Sequence, residues 1–151
     1  MRLKFLLAGP YEIDPFLEMQ KDFYSLEHIT FDESKAHNAV QQLLDDASIG
    51  LAYVIYLDSE PVGYFVITFG FSLEFNGRFA LIDELYVRES SRGKGIGRSS
   101  MSFIEKLCRE RDIKVIRLEA ARENVRAQDL YRRVGFRDHG RDLLTKRIEG
   151  K

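Results

Sequence analysis

Residues 80–107 read ALIDELYVRESSRGKGIGRSSMSFIEKL, and three kinds of local order follow one another in that stretch. ALIDELYV has the composition of a strand. SSRGKGIG, residues 90–97, sets three glycines where a chain can turn sharply. From Ile96 onward, Met101, Ile104, Leu107 and Cys108 recur at spacings that bury one side of a helix. KVIRLEA, residues 114–120, then reads as a further strand. A strand that passes through a glycine-rich junction into an amphipathic helix and returns as a strand predicts an α/β domain.

The junction carries the most informative chemistry. Gly93, Gly95 and Gly97 permit close approach and unusual backbone angles, and Arg92, Lys94 and Arg98 add positive charge around the unpaired amides of a helix start. A phosphate group fits this environment. The alternative is a solvent-exposed turn whose glycines solve only a backbone problem. Two familiar phosphate motifs fail here. GxxxxGK followed by Ser or Thr is absent, and a dinucleotide GxGxxG belongs at the first turn of a parallel βαβ unit, whereas this loop follows an antiparallel meander.

That meander lies upstream. LAYVIYLD (51–58), a turn at Ser59 to Pro61, PVGYFVITFGFSLEF (61–75), the Asn76-Gly77 hairpin signal and RFALIDELYV (78–87) predict three successive antiparallel strands. Before them, Phe16, Leu17, Phe23, Tyr24 and Leu26 line one side of a helix over about Asp14 to Leu26. Asp32 offers a cap to a second helix bearing Ala36, Ala39, Val40, Leu43 and Leu44. The opening MRLKFLLAGPYEIDP has a short apolar run that soon turns acidic and proline-containing, so it reads as a strand and not as an export signal or a membrane span. Downstream, Asn124 caps NVRAQDLYRRV, Gly135 ends that helix, and the segments around Phe136 and Leu143 to Ile148 complete a final strand or hairpin.

At 151 residues the chain is expected to form a single domain over 1–151. Its 23 Lys and Arg against 24 Asp and Glu give a net charge of -1, which disfavours a generally basic nucleic-acid binder. One cysteine, Cys108, allows no internal disulfide and fits a reducing, cytoplasmic setting; it reads as a small buried residue. Three scattered histidines and no HExxH give no basis for a metal site.

Arg92-Gly93-Lys94-Gly95-Ile96-Gly97 resembles the R/Q-x-x-G-x-G/A coenzyme A pyrophosphate loop of the GCN5-related N-acetyltransferase (GNAT) family. The likeness extends to Asn124, Ala127, Tyr131, Gly135 and Phe136, in register with the family's N-x-x-A-x-x-x-Y-x-x-x-GF signature. ALIDELYVRESS and KVIRLEA are similar to its fourth and fifth strands. The resemblance implies a mixed, mostly antiparallel central sheet flanked by about four helices, and acetyl-CoA as co-substrate without a metal. Backbone groups of Leu85, Tyr86 and Val87 would meet the pantetheine arm, and the amides of Arg92, Gly93, Lys94, Gly95, Ile96, Gly97, Arg98 and Ser99 would cradle the pyrophosphate.

By the same resemblance the acetyl group passes directly to a primary amine, with a small cationic molecule preferred to a protein N-terminus or lysine. A coenzyme A-binding sensor without transfer activity is the alternative outside enzymes. Tyr131 would protonate the departing thiolate, or would merely bury its ring; Asn124 would contact the coenzyme, cap its helix, or both. Asp83 and Glu84 resemble the acidic pair of polyamine acetyltransferases. Regular alternation sends them to opposite faces of the strand, and a bulge would alter that. Glu84 is then the amine-facing carboxylate and Asp83 a base acting directly or through water, against solvated or structural roles for each. Phe23, Tyr24, Glu27 and His28 fall where early helices of the family build the acceptor pocket, with core packing the alternative for Phe23 and Tyr24 and a structural or exposed role for His28. A homodimer is a family-based expectation, with the aromatic strands as possible interface material; neither nucleic acid nor membrane is expected as a partner.

Overall fold

A computed structural model describes residues 2–149. They form two compact units, residues up to Glu119 and residues from Ala120 on.

The first unit is a five-stranded sheet with helices on both faces. β1 (Leu3–Leu7) leads through a short 3-10 turn into α1 (Ile13–Leu26) and α2 (Glu33–Asp45). β2 (Gly50–Leu57), β3 (Glu60–Ser72) and β4 (Gly77–Val87) form the expected meander, and α3 (Ile96–Glu110) returns the chain to β5 (Ile116–Leu118). The strand order is β1-β2-β3-β4-β5, antiparallel except for the last pair. The β2–β3 turn falls one residue earlier than read from sequence. Leu57 pairs with Glu60, and Asp58 and Ser59 take φ of 50° and 77°, as a tight two-residue hairpin requires.

Alternation along the strands assigns the two faces. Ala52, Val54, Tyr64, Val66 and Tyr86 pack with Ile13, Phe16, Leu17, Met19 and Val40 beneath α1 and α2. Leu26, expected on that side, is exposed. Asp32 caps α2 by accepting from Lys35 N at 3.1 Å. On the opposite face Phe103 of α3 stacks on Phe5 and meets Tyr53 and Phe65, and Ile96, Met101, Ile104, Leu107 and Cys108 are all buried as their spacing predicts. Gly50 and Gly63 keep neighbouring backbones close, since a Cβ at either would come within 2.3 Å of a carbonyl oxygen, Ile67 O or Tyr86 O.

Strand β4 is irregular in two places. Val66 pairs with Glu84 while Ile67 pairs with Ile82, so Asp83 is an extra, unpaired residue: a β-bulge. β5 pairs with Ala80, Leu81 and Ile82, and beyond them β4 continues to Val87 with that edge unpaired by any strand among the described residues.

In the second unit Asn124 caps α4 (Val125–Arg133), accepting from Ala127 N at 3.1 Å, and Gly135 follows the helix with φ of 106°. The final strand or hairpin expected around Phe136 and Leu143 to Ile148 is not formed. Described residues there have no regular structure, and Leu143, Leu144 and Ile148 are exposed. Arg122 pairs with Asp142 at 3.0 Å instead of the segment entering a ladder.

Candidate active site

The bulge resolves the alternation problem posed by Asp83 and Glu84. With one residue inserted, both carboxylates line the same cleft of about 320 Å³, together with Phe16, Gln20 and Tyr24 of α1, Val40 and Leu43 of α2, and Ile49, Val66 and Thr68.

The two acids have different surroundings. Glu84 is half-buried and accepts from three donors: Tyr64 Oη at 2.7 Å, Gln20 Nε2 at 3.2 Å and the Tyr24 hydroxyl in a short contact. Burial raises its pKa, the three hydrogen bonds oppose that rise, and the negative charge of Asp83 adds to it. Asp83 is more exposed and has no hydrogen bond among the described residues; desolvation by the surrounding protein lifts its pKa. Burial, and then Glu84, push both tyrosine hydroxyls above the ordinary tyrosine range, so Tyr24 and Tyr64 remain proton donors.

The sequence places Tyr24 near an acceptor pocket, but it singles out neither Gln20 nor Tyr64 as a partner of Glu84. The available signal was Gln20 itself, a polar residue one helical turn before Tyr24 on the side that carries Phe16 and Leu17. Phe23 packs on the core against Tyr64 and Tyr86, and Glu27 and His28 are exposed beyond the helix.

Leu85, Tyr86 and Val87 lie on the part of β4 that β5 leaves unpaired; Tyr86 is buried, and Arg92 Nε donates to Val87 O at 3.0 Å. In the glycine loop Gly93 and Gly95 have φ of 79° and 78°, the left-handed region that favours glycine. Gly95 occupies the N-cap position of α3, and Ser99 N is the first amide to reach a carbonyl one turn back, Gly95 O at 3.0 Å. The amides of Ile96, Gly97 and Arg98 therefore lack intrahelical partners, and Arg92, Lys94 and Arg98 stand exposed around them. A loop without Cβ atoms at Gly93 and Gly95, with free amides and three cations, fits a pyrophosphate.

In the second unit Asn124 performs its capping role, and Tyr131 is half-buried with its ring edge-on to Phe136 at 6.0 Å. The order β4, glycine loop, α3, β5, α4 accounts for both sequence signatures in one chain.

The sequence pattern of the Acetyltransferase (GNAT) family matches residues 13–136, which takes in all of these elements. The chain belongs to the GNAT family. Among curated GNAT-like relatives it is 34% identical over 96 residues to streptothricin acetyltransferase of Escherichia coli, covering 62% of this chain and 51% of that protein. It is 31% identical over 93 residues to thialysine N-epsilon-acetyltransferase of Bos taurus, covering 58% and 54%. The chain thus spans about half the length of these curated relatives. Its fold is similar to that of integron cassette protein HFX_CASS3 from the mobile metagenome of Cole Harbour Salt Marsh, with a TM-score of 0.85 and 26% identity over 95% of this chain and 90% of that one. Among the described residues no helix is long and apolar enough to cross a membrane, and no group of His, Cys, Asp and Glu could hold a metal ion.

Proposed function

We propose that the protein is an acetyl-CoA-dependent N-acetyltransferase acting on a primary amine of a small cationic molecule. The observation that carries this reading is the bulge at Asp83, which puts two carboxylates in one cleft immediately before the unpaired edge at Leu85–Val87 and the glycine loop. The names of the two curated relatives, one acting on streptothricin and one on thialysine, favour a small amine acceptor.

Arg92 to Ser99 would hold the pyrophosphate, and the backbone of Leu85–Val87 the pantetheine arm. Bound acetyl-CoA supplies an acetyl thioester open to attack by a neutral amine. Attack requires that the acceptor ammonium lose a proton. Asp83 is suited to take it: it has no competing hydrogen bond, and its raised pKa brings it closer to that of the acid it must deprotonate. Glu84 attracts and orients the cation. Tyr131 is assigned to protonate the departing thiolate on the strength of its motif.

An acetyl-transfer screen against small amines and short lysine peptides tests the reading. Release of free coenzyme A should depend on a small amine, and Tyr131→Phe should lower kcat more than acetyl-CoA affinity. Binding of acetyl-CoA with no turnover across the panel would leave a sensor in place of an enzyme.

A further inference from the structure

Two adjacent carboxylates share the cleft, and no lysine or arginine is among the residues that line it. A proton taken from the acceptor therefore has two places to go. Burial by itself favours Glu84, the more buried of the two acids, because desolvation penalises the charged form. The hydrogen bonds around it work the other way. Glu84 Oε1 accepts from Gln20 Nε2 at 3.2 Å and from Tyr64 Oη at 2.7 Å, and Oε2 accepts from Tyr24 Oη. Asp83 has no such cage, and no hydrogen bond reaches it among the described residues.

Tyr24 holds the decisive place in the cage. It sits one helical turn after Gln20 on α1, and Gln20 Nε2 donates both to Glu84 and, at 3.3 Å, to Tyr24 Oη. Both amide hydrogens are then committed, and the Tyr24 hydroxyl, accepting from Gln20, sends its one hydrogen on to Glu84. The donors run in one direction, from amide to phenol to carboxylate, and each bond polarises the next. A proton added to Glu84 breaks this order. On Oε1 it meets a nitrogen without a lone pair and a phenol that is already donating; on Oε2 it meets Tyr24 Oη, whose own hydrogen then loses its acceptor. Neither phenol titrates in compensation, because burial and Glu84 hold both hydroxyls above the ordinary tyrosine range. Other neighbours leave the balance alone. From α2 the cleft receives Ala39, Val40, Gln42 and Leu43, none titratable, while Tyr86 meets Tyr64 with ring centroids 6.0 Å apart, and Asp22 and Arg88 act on Tyr86 and on neither acid.

We propose that Tyr24 is a positioning residue: by closing the chain from Gln20 to Glu84 it keeps Glu84 ionised, and it thereby assigns the acceptor's proton to Asp83. The transfer breaks one N–H bond of the ammonium and forms one O–H bond on Asp83, and the electron pair stays on nitrogen for attack on the thioester. Glu84 keeps its charge through the step. That charge attracts the incoming cation and, one residue away, makes Asp83 a stronger base. One helix therefore decides which of two adjacent acids acts as the base. The inference rests on the amine acetyltransferase reading and adds a residue to the same site.

The test follows protonation and rate separately in the full chain. Tyr24→Phe keeps the ring that meets Phe23 and Phe31 and removes the hydroxyl alone, and Gln20→Met removes the first donor of the chain. Carbon-13 NMR of the side-chain carboxyls needs no turnover. In the wild type Glu84 should lose its proton at lower pH than Asp83, and in both variants the Glu84 midpoint should rise by about one pH unit, the worth of one hydrogen bond to a charged group. A Glu84 midpoint above that of Asp83 in the wild type, or one unmoved in both variants, overturns the proposal. With a small amine as acceptor, the ratio of wild-type to Tyr24→Phe kcat/KM should grow roughly tenfold as pH falls through the two midpoints, because only the doubly ionised pair is active. In a Glu84→Gln background the same substitution should act equally at every pH. Loss by one factor at every pH in the wild-type background makes Tyr24 structural and overturns the proposal. Should no amine be acetylated, the functional reading fails, and the NMR midpoints decide the role of the cage: the stated order and shift support it, and their absence rejects it.

Discussion

At the scale of single residues, the two adjacent acids are set apart by what donates to them. Asp83→Asn removes the group suited to proton transfer without disturbing a hydrogen bond; kcat for amine acetylation should fall by about 10²–10⁴-fold, with acetyl-CoA affinity retained. A fall confined to KM would make Asp83 a binding group. Glu84 gives a prediction about stability. Its pKa is raised in the folded protein, so its stabilising contribution is complete below the unfolded value near 4.5 and is lost as pH rises through the folded value. Glu84→Gln cannot ionise. Its melting temperature relative to the wild type should therefore climb with pH from about 4 upward, and a pH-independent difference would show that the three hydrogen bonds cancel the burial penalty. Asp83 and Glu84 were visible as candidates in the sequence, but their sharing of a cleft was not. Strand alternation separates neighbours, and a bulge has no mark in the residues Ile82-Asp83-Glu84 themselves; it depends on register against Val66 and Ile67.

At the scale of elements, the glycine loop and α3 followed directly from sequence, because glycine spacing and helical periodicity are local signals. Gly95 needs its φ of 78° and not the space, since nothing lies within 4 Å of where its Cβ would stand. Gly95→Val should destabilise the protein by about 1–2 kcal/mol through backbone strain and should weaken acetyl-CoA binding. Gly95→Asn, which tolerates the left-handed region, should recover most of the stability; chemical denaturation and equilibrium binding distinguish the two losses. The last segment resisted reading for the opposite reason. Leu143, Leu144 and Ile148 look like strand material, yet pairing is a property of a partner edge, and the described residues there form none. Gln20 is not legible because a lone polar residue on an apolar helix side has no periodic signature, and Tyr64 because nothing in the sequence distinguishes it from the other aromatics of the strands.

At the scale of the first unit as a whole, every strand neighbours its predecessor in sequence, but the connections differ in length. Two residues join β2 to β3 and four join β3 to β4, whereas β1 meets β2 only after α1 and α2, with Leu3 opposite Leu57. Closing the short loops costs less chain entropy than closing the long one. In kinetic terms the β2–β4 meander should therefore organise before the β1 edge docks. Lengthening the Asp58-Ser59 turn should slow refolding, while Leu3→Ala and Phe5→Ala should act mainly by speeding unfolding, as stopped-flow φ-values would record. High φ-values in β1 would contradict this order. On this order the cage around Glu84 assembles in two stages: Tyr64 and the bulge arrive with the meander, and Gln20 and Tyr24 close over them only when α1 packs down.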